Sequence, residues 1–375
     1  MMRYNYYSRA VIHPDCLRHN LKVIRSLVPA GTKILIPVKC NAYGFGMLAV
    51  SQFLEKEKAD YLGTAFPFEA IQLRKAGIKK PILVFGEIIH KEDFLNIIKY
   101  NLTATVFTHD TLDRLDKAAE KLNRIVPVHI KIDTGMGRNG IPYPMARTLI
   151  REAFQKKNVR LEGLYTHLSA ADEKEKKFTL EQIERFRDIH DQTVRTGIRI
   201  PLVHVLNSAG IMNYPEYGFS MVRPGIMFYG YYPDNRIRKD IPLKQGLSFQ
   251  SRICYIKKNP DKTPVSYGHT YYTRKNEIIA TVCSGYGDGI NRLLSNRHSV
   301  LYRDRECRIR GRICMDQFMV DISRIKGPHK GDWVTVFGKD IKKEIRLESL
   351  AEELDTITYE LLCRIGERVE RIYLN

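Results

Sequence analysis

Short runs rich in Ile, Val and Leu alternate along this chain with longer stretches whose apolar residues recur at helical spacing. A short apolar run bounded by turn residues predicts a buried strand. A period between three and four predicts a helix packed by one face. Eight strands are predicted in this way: Ile34–Lys39, Tyr61–Ala65, Pro81–Gly86, Thr103–Phe107, Val128–Asp133, Leu161–His167, Leu202–Asn207 and Ser220–Val222. Helices are predicted between them at Leu48–Leu54, Glu69–Gly77, Leu112–Leu122 and Thr179–Thr196. Strand–helix units in such a series predict an α/β fold, a (β/α)₈ TIM barrel. The alternation breaks near Pro233–Gly246. Strands without long helices follow: Ser248–Lys257, Glu277–Cys283, Ser299–Tyr302, Glu306–Ile313, Met319–Ile322 and Trp333–Phe337, with one helical patch at Leu347–Leu354. The expected division is a barrel over residues 1–245 and a mostly β C-terminal domain over 246–375. The segment 1–13, with its short strand Arg9–Ile12, is expected to cross to the β domain.

Composition narrows the class. With 375 residues, 43% hydrophobic and 27% charged, the chain can bury a large core. No apolar run approaches the roughly 20 residues that span a bilayer. Met1–Tyr7 lacks the apolar centre of a secretory signal, so a cytoplasmic protein without membrane contact is expected. The cysteines Cys16, Cys40, Cys254, Cys283, Cys307, Cys314 and Cys363 are scattered and form no C-x-x-C pair, which predicts neither a disulfide framework nor a metal site. The formal charge of +19 raises the question of nucleic acid. The basic residues are dispersed, however, so no specific nucleic-acid partner is expected. Arg308, Arg310 and Arg312 alternate, and on a strand they would line one face. Such a field suits the attraction of small anions.

In a (β/α)₈ barrel the working groups sit at the C-terminal ends of strands. Here those ends carry Lys39, then Asp133-Thr134-Gly135-Met136-Gly137-Arg138, then His167, Asn207-Ser208 and Arg223-Pro224-Gly225. A lysine closing a core strand either snorkels to water or is desolvated enough to react with an aldehyde and move protons near neutral pH. Across the mouth, Asn207-Ser208-Ala209-Gly210 and Arg223-Pro224-Gly225-Ile226 offer a hydroxyl and small-residue N–H groups for a phosphate; a capped turn would look the same. An aldehyde with a phosphate tail, pyridoxal 5′-phosphate (PLP), matches both features. In the second domain, Tyr267 and Tyr286 read as packing residues and Cys314 as a small core residue.

Val38-Lys39-Cys40-Asn41-Ala42-Tyr43-Gly44-Phe45-Gly46 closely resembles the PLP-lysine signature of the alanine racemases, fold-type III PLP enzymes. The likeness runs along nearly the whole chain. It includes Lys131–Arg138, Thr166-His167-Leu168 with Ala171-Asp172-Glu173, Val222–Ile226 with Tyr229-Gly230, Val265–Tyr271, Gly311–Gln317 and Thr356–Cys363.

The resemblance implies a PLP-dependent racemase that interconverts L- and D-alanine by a two-base mechanism. It would work as a cytoplasmic homodimer with shared active sites and supply D-alanine for peptidoglycan. Lys39 would hold PLP and serve as one base; Tyr271, from the partner subunit, would be the other. Arg223 would face the pyridine nitrogen, with His167 against it or between it and the tyrosine. Tyr43, Asn207, Ser208, Gly225, Ile226 and Tyr359 would hold the cofactor, chiefly its phosphate. Arg138 and the Met315 backbone would orient the substrate carboxylate, and Asp316 would support the access route. Lys131 corresponds to a lysine that is often carbamylated, the alternative being an ammonium paired with Asp133 or Glu173. Two departures stand out. Ile290 replaces an aromatic in Gly285–Arg292, which leaves room for serine or another small amino acid. Arg368-Val369-Glu370-Arg371 departs from the family's R-V-P-R at a position that reads as peripheral.

Overall fold

The computed structural model describes residues 6–234 and 240–374. Residues 1–5 of the segment expected to cross over, and 235–239 of the break, lie outside the described residues. The chain divides into two compact units, one holding Arg18–Phe228 and the other holding the early strand Ser8–Ile12 and the chain from Leu243 onward.

In the first unit, parallel strands Lys33–Pro37, Tyr61–Thr64, Ile82–Val84, Thr103–Val106, Val126–Asp133, Val159–Tyr165, Leu202–His204 and Met221–Val222 pair in sequence. Met221–Val222 returns to pair with Lys33–Ile34 and closes the barrel. Helices including Met47–Lys56, Pro67–Lys75, Lys91–Lys99, His109–Lys121, Ala146–Gln155 and Lys177–Arg195 connect the strands. Strand bodies such as Ile34–Ile36, Ile82–Val84 and Thr103–Val106 are wholly buried, which is why they read as near-continuous apolar runs. Residues two apart on a strand face the same way. Leu35, Tyr61, Leu83 and Met221 pack together as an apolar cluster with Phe85 and Leu202 against it. Other positions on these strands are polar: Thr105, His129, Lys131, Tyr165 and His204 are all buried.

The strand ends differ from expectation by a few residues. The first strand stops at Pro37, so Lys39 is not its last residue. The sixth and seventh stop at Tyr165 and His204, which leaves His167, Asn207 and Ser208 in the following loops or at the start of the next helix.

In the second unit the sheet order is Arg305–Arg308, Ser299–Tyr302, Trp333–Lys339, Leu247–Lys258, Ser8–Ile12 and Glu370–Tyr373; Ile278–Val282 pairs with Leu247–Lys258 and with Phe318–Asp321. Ser8–Ile12 thus pairs with the C-terminal chain on both sides. The strand expected over Glu306–Ile313 ends at Arg308 apart from a single bridge at Ile309. Gly311 takes φ 75°, and a Cβ there would stand 2.5 Å from the Val265 carbonyl oxygen. The arginines therefore do not line one solvent face. Arg308 is exposed, whereas Arg310 is held by Glu277 (3.5 Å) and Asp321 (3.2 Å).

Candidate active site

Lys39 opens a turn of unusual hand. Cys40, Asn41, Ala42 and Tyr43 have φ of 53°, 51°, 52° and 54°. Left-handed conformation costs an L-residue roughly 1–2 kcal/mol, so four in succession carry roughly 4–8 kcal/mol to be offset by the surroundings. Much of the restraint is visible. The Val38 N–H donates to Gly63 O (2.8 Å), Ala42 N–H to Val38 O (2.8 Å) and Gly46 N–H to Asn41 O (2.9 Å). The Asn41 side chain accepts from Met47 N–H at 2.7 Å. Gly44, at φ 81°, ends the turn. Ala42, Tyr43 and Phe45 are buried beneath it, whereas Lys39 is half-buried.

The same turn delivers Tyr43 to Gly225. A Cβ at position 225 would lie 2.9 Å from the Tyr43 hydroxyl, so only glycine leaves that space open. Ser208, buried at the start of the helix Ser208–Asn213, accepts from Met227 N–H at 3.2 Å. Asn207 caps this helix, its side chain accepting from Gly210 N–H (2.9 Å) and donating to Leu168 O (3.2 Å). Two hydroxyls thus converge on the buried segment Gly225–Met227, which includes Ile226. Small side chains, hydroxyls and N–H groups beside an amine-bearing turn fit a phosphate-tailed aldehyde such as PLP.

Arg223 is buried and fully engaged. It donates to Thr166 O (2.6 Å), His204 O (3.0 Å), Val205 O (3.0 Å) and His204 Nδ1 (2.9 Å), with His167 Nδ1 at 3.4 Å. Burial pulls its pKa down to about 10, still far above neutrality. Burial and the Arg223 charge hold His167 and His204 well below the usual histidine range, so both imidazoles are neutral at pH 7.

Behind Arg223 lies a group of residues that the sequence reading passed over. His204 Nε2 meets His129 Nδ1 at 2.9 Å, and His129 Nε2 faces Glu162 Oε2 at 3.6 Å. Arginine can only donate. His204 Nδ1 must therefore accept, its Nε2–H donates to His129, and the His129 Nε2–H points at the carboxylate. Burial pushes Glu162 up, but His129, Arg160 and Tyr61 outweigh it and hold the carboxyl below the usual range. The Tyr165 ring stacks on His204 (4.6 Å, 5°), and its hydroxyl pairs with Thr105 at 2.9 Å. Gly163 makes room, since a Cβ there would stand 2.4 Å from the His129 ring. A signal was present: His129 and Lys131 alternate inside the otherwise apolar run Val126–Asp133, which puts two polar groups on one face.

Lys131 is buried, donates to Asn139 Oδ1 and lies 5.7 Å from the Tyr165 ring. Burial, then Arg138, Arg223 and Lys39, pull its pKa down to about 7. The alternative pairing with Asp133 is not made, because that carboxylate accepts from Gly135, Met136 and Gly137 N–H at 2.8–3.2 Å. Arg138, in the loop that follows, is exposed.

The remaining expected residues sit in the C-terminal unit, and here one assignment changes. The Tyr271 hydroxyl donates to Glu277 Oε1 at 2.6 Å, and the Arg310 guanidinium lies 4.6 Å over its ring. Burial and Glu277 push its pKa up to about 12, the wrong direction for a base near neutrality. Tyr271 is therefore tied into its own unit as an anchor of this hairpin. Tyr267, which the sequence reading took for a packing residue, is 72% exposed. It sits between Ser266 (φ 66°) and Gly268 (φ 67°), where a Cβ on Gly268 would lie 3.0 Å from Arg312 Nη1.

Met315 and Asp316 are exposed and clamped by Arg368, which bonds Asp316 Oδ1 (2.7 Å), Met315 O (3.4 Å) and Asp288 (2.6 and 3.2 Å). The position read as peripheral thus holds this loop. Tyr359 is half-buried in the helix Thr358–Cys363. Ile290 is buried in the core of its unit.

Comparison with known proteins places these residues in context. Residues 12–233 match the model of the alanine racemase N-terminal domain and residues 246–373 that of the alanine racemase C-terminal domain. The chain is 40% identical over 366 residues to the alanine racemase of Halothermothrix orenii, covering 98% of this chain and 96% of that one. It is 39% identical to the alanine racemase of Methanococcus maripaludis, with 98% of each chain covered. Among solved structures, the alanine racemase of Clostridium difficile 630 superposes with a TM-score of 0.93 at 38% identity, covering 99% of this chain and 97% of that chain. A complex of that enzyme with cycloserine superposes at 0.91, with 37% identity and 99% and 96% coverage.

Proposed function

Since this chain belongs to the alanine racemase family, we propose that it interconverts L-alanine and D-alanine with PLP as cofactor, as a cytoplasmic homodimer supplying D-alanine for peptidoglycan. The observation that carries the reading is the convergence at one end of the barrel of the Lys39 turn, the Tyr43–Gly225 contact and the buried Arg223 cluster. Tyr43, Ser208 and the Gly225–Ile226 backbone would hold the phosphate, helped by Asn207, which fixes the loop, and by Tyr359. Lys39 would bond the cofactor and Arg223 would face its ring nitrogen. PLP, when bound, supplies the electron-withdrawing ring that makes the substrate Cα–H acidic.

The protein's own groups do the rest. Inverting Cα means taking a proton from one face and returning one to the other, so two groups on opposite faces are required. The Lys39 amine serves one face. For the other we assign Tyr267 in place of Tyr271, because its side chain is exposed while the Tyr271 hydroxyl is taken up by Glu277. An exposed tyrosine serves a site only where another surface meets it, which supports the homodimer with shared sites. Arg223 remains a donor to whatever faces it. A cation there would disfavour protonation of a neighbouring ring nitrogen by like-charge repulsion. Arg138 and the Met315 backbone receive the substrate carboxylate, the Arg138 guanidinium supplying the opposite charge. Asp316, clamped by Arg368, steadies the loop that carries Met315.

The test is direct. Purified protein is incubated with L-alanine, with and without PLP, and D-alanine is measured; the same is done with L-serine. PLP-dependent appearance of D-alanine is expected, with serine slower. Absence of D-alanine at stoichiometric PLP overturns the reading, and serine turning over faster than alanine overturns the substrate assignment.

A further inference from the structure

The left-handed turn that carries Lys39 is not held by its own hydrogen bonds alone. Its first residue, Cys40, donates its N–H to Glu69 Oε1 at 2.9 Å, across 29 positions of sequence. The other oxygen, Oε2, accepts from Ala65 N–H (2.7 Å) and Phe66 N–H (3.2 Å) in the loop after the second barrel strand. Glu69 is buried, 7% exposed.

Part of this arrangement is ordinary. A glutamate at the third position of a helix commonly reaches back to the backbone N–H at the helix start, and Glu69 does so for Pro67–Lys75. That duty needs only one oxygen and no burial. The second oxygen leaves the helix and meets the residue that follows Lys39. A carboxylate accepts through both oxygens and donates through neither, so it can face three N–H groups at once. An amide of the same shape cannot, because its nitrogen would confront donors.

We propose that Glu69 is a positioning residue for Lys39: its carboxylate ties the first left-handed residue to the neighbouring loop and thereby aims the amine at one end of the turn and the Tyr43 hydroxyl at the other. The part that concerns the cofactor rests on the functional reading above; the mechanical part does not. Cys40–Tyr43 would gain by relaxing to right-handed geometry, and Val38 is already fixed to Gly63 on the second strand. With Cys40 fixed to Glu69, both ends of the Lys39 residue are anchored to the same strand–loop unit. Lys39 can then move its side chain while its backbone stays in place.

The test compares wild type with Glu69→Gln, Glu69→Asp and Glu69→Ala. A control, Thr108→Ala, removes an N-cap bond (Thr108 Oγ1 from Thr111 N–H, 3.1 Å) from the helix His109–Lys121 elsewhere in the barrel. Hydrogen exchange of the Cys40 amide in the cofactor-free proteins is the first readout. Losing one hydrogen bond to a charged group is expected to speed it about tenfold in Glu69→Gln, with no such change in Thr108→Ala. The second readout is the rate at which added PLP becomes covalently attached to Lys39, followed by absorbance and by mass after borohydride reduction. Glu69→Gln is expected to slow it about tenfold, with Thr108→Ala unchanged and Glu69→Asp no better than Glu69→Gln, because the shorter chain does not span to Cys40. Wild-type exchange of Cys40 in Glu69→Gln overturns the proposal. So does attachment at the wild-type rate, or equal slowing in Thr108→Ala, which would mark a merely structural effect. Should Glu69→Ala not fold, Glu69→Gln decides. If wild-type protein does not attach PLP at Lys39, the functional reading fails, and Cys40 exchange still decides what Glu69 does.

Discussion

The Lys39 turn and the Tyr267 hairpin both use positive-φ residues, and they treat the resulting side chain in opposite ways. At Lys39 the turn is held from several sides: Glu69 from the next helix, Gly63 from the next strand, Asn41 from within. At Tyr267 the backbone is fixed as well, Ser266 Oγ donating to Arg312 O at 2.6 Å and Val265 N–H to Tyr271 O at 3.0 Å, but the ring itself is exposed. One group stands on a half-buried turn. The other projects from its hairpin. Precision in a site thus does not require burial; it requires that the backbone beneath the group be over-determined.

Removing the built-in group should have the largest effect. Lys39→Ala is expected to lower racemisation by at least about 10⁴-fold, the upper range for one acid–base group, and to abolish covalent PLP attachment. Full racemisation by that variant would sink the assignment. Next comes the contrast between the two tyrosines. Tyr267→Phe is expected to lower kcat by about 10²–10⁴-fold and to suppress solvent deuterium exchange from one enantiomer only, while Tyr271→Phe costs less than about tenfold. The reverse ranking would return the role to Tyr271.

A smaller effect probes the buried side of the comparison. His129 and His204 have lowered pKa values in the folded state through burial, so the unfolded chain binds more protons than the native one near the ordinary value of about 6.5. Stability contributed by these groups is therefore fully present above that value and is lost as pH falls below it. The expected slope is about 1.4 kcal/mol per pH unit for each histidine, readable by urea unfolding of the cofactor-free protein. A flat profile between about pH 6.5 and 5 would mean that the imidazoles are already protonated in the fold. The smallest effect is a mass. With its pKa near 7, Lys131 is partly a free amine at neutrality and should carry one bound CO₂ as a carbamate in bicarbonate buffer. An intact mass or difference density showing unmodified Lys131, beside a well-ordered Arg138, would refute that.

The barrel was legible because its strands are short, almost wholly apolar and separated by amphipathic helices, so burial on both faces wrote itself into the sequence. Lys39, Arg223 and Ser208 were legible because they sit just past those strands. The tyrosines were not. Tyr267 and Tyr271 share one short segment, and what distinguishes them is Glu277, Arg310 and the turn at Ser266, brought together by hairpin geometry that spacing alone does not fix. The hand of the Lys39 turn was hidden for a related reason. Cys40-Asn41-Ala42-Tyr43 has no glycine to announce positive φ, and its conformation is imposed from Gly63 and Glu69. His129, Glu162 and His204 escaped because polar residues within strands were not read as a set, although their positions put them inside the barrel.

The run from Glu162 through His129 and His204 to Arg223 has a further consequence for isotopes. Proton hopping along a wire needs each member to accept on one side and donate on the other. Here all hydrogens point away from Arg223, and the guanidinium that ends the run has no lone pair to accept one. This run is a dead end for protons, so under the proposed two-base scheme deuterium from the solvent would reach the reacting carbon by way of Lys39 or the proposed second base, Tyr267, rather than along this run.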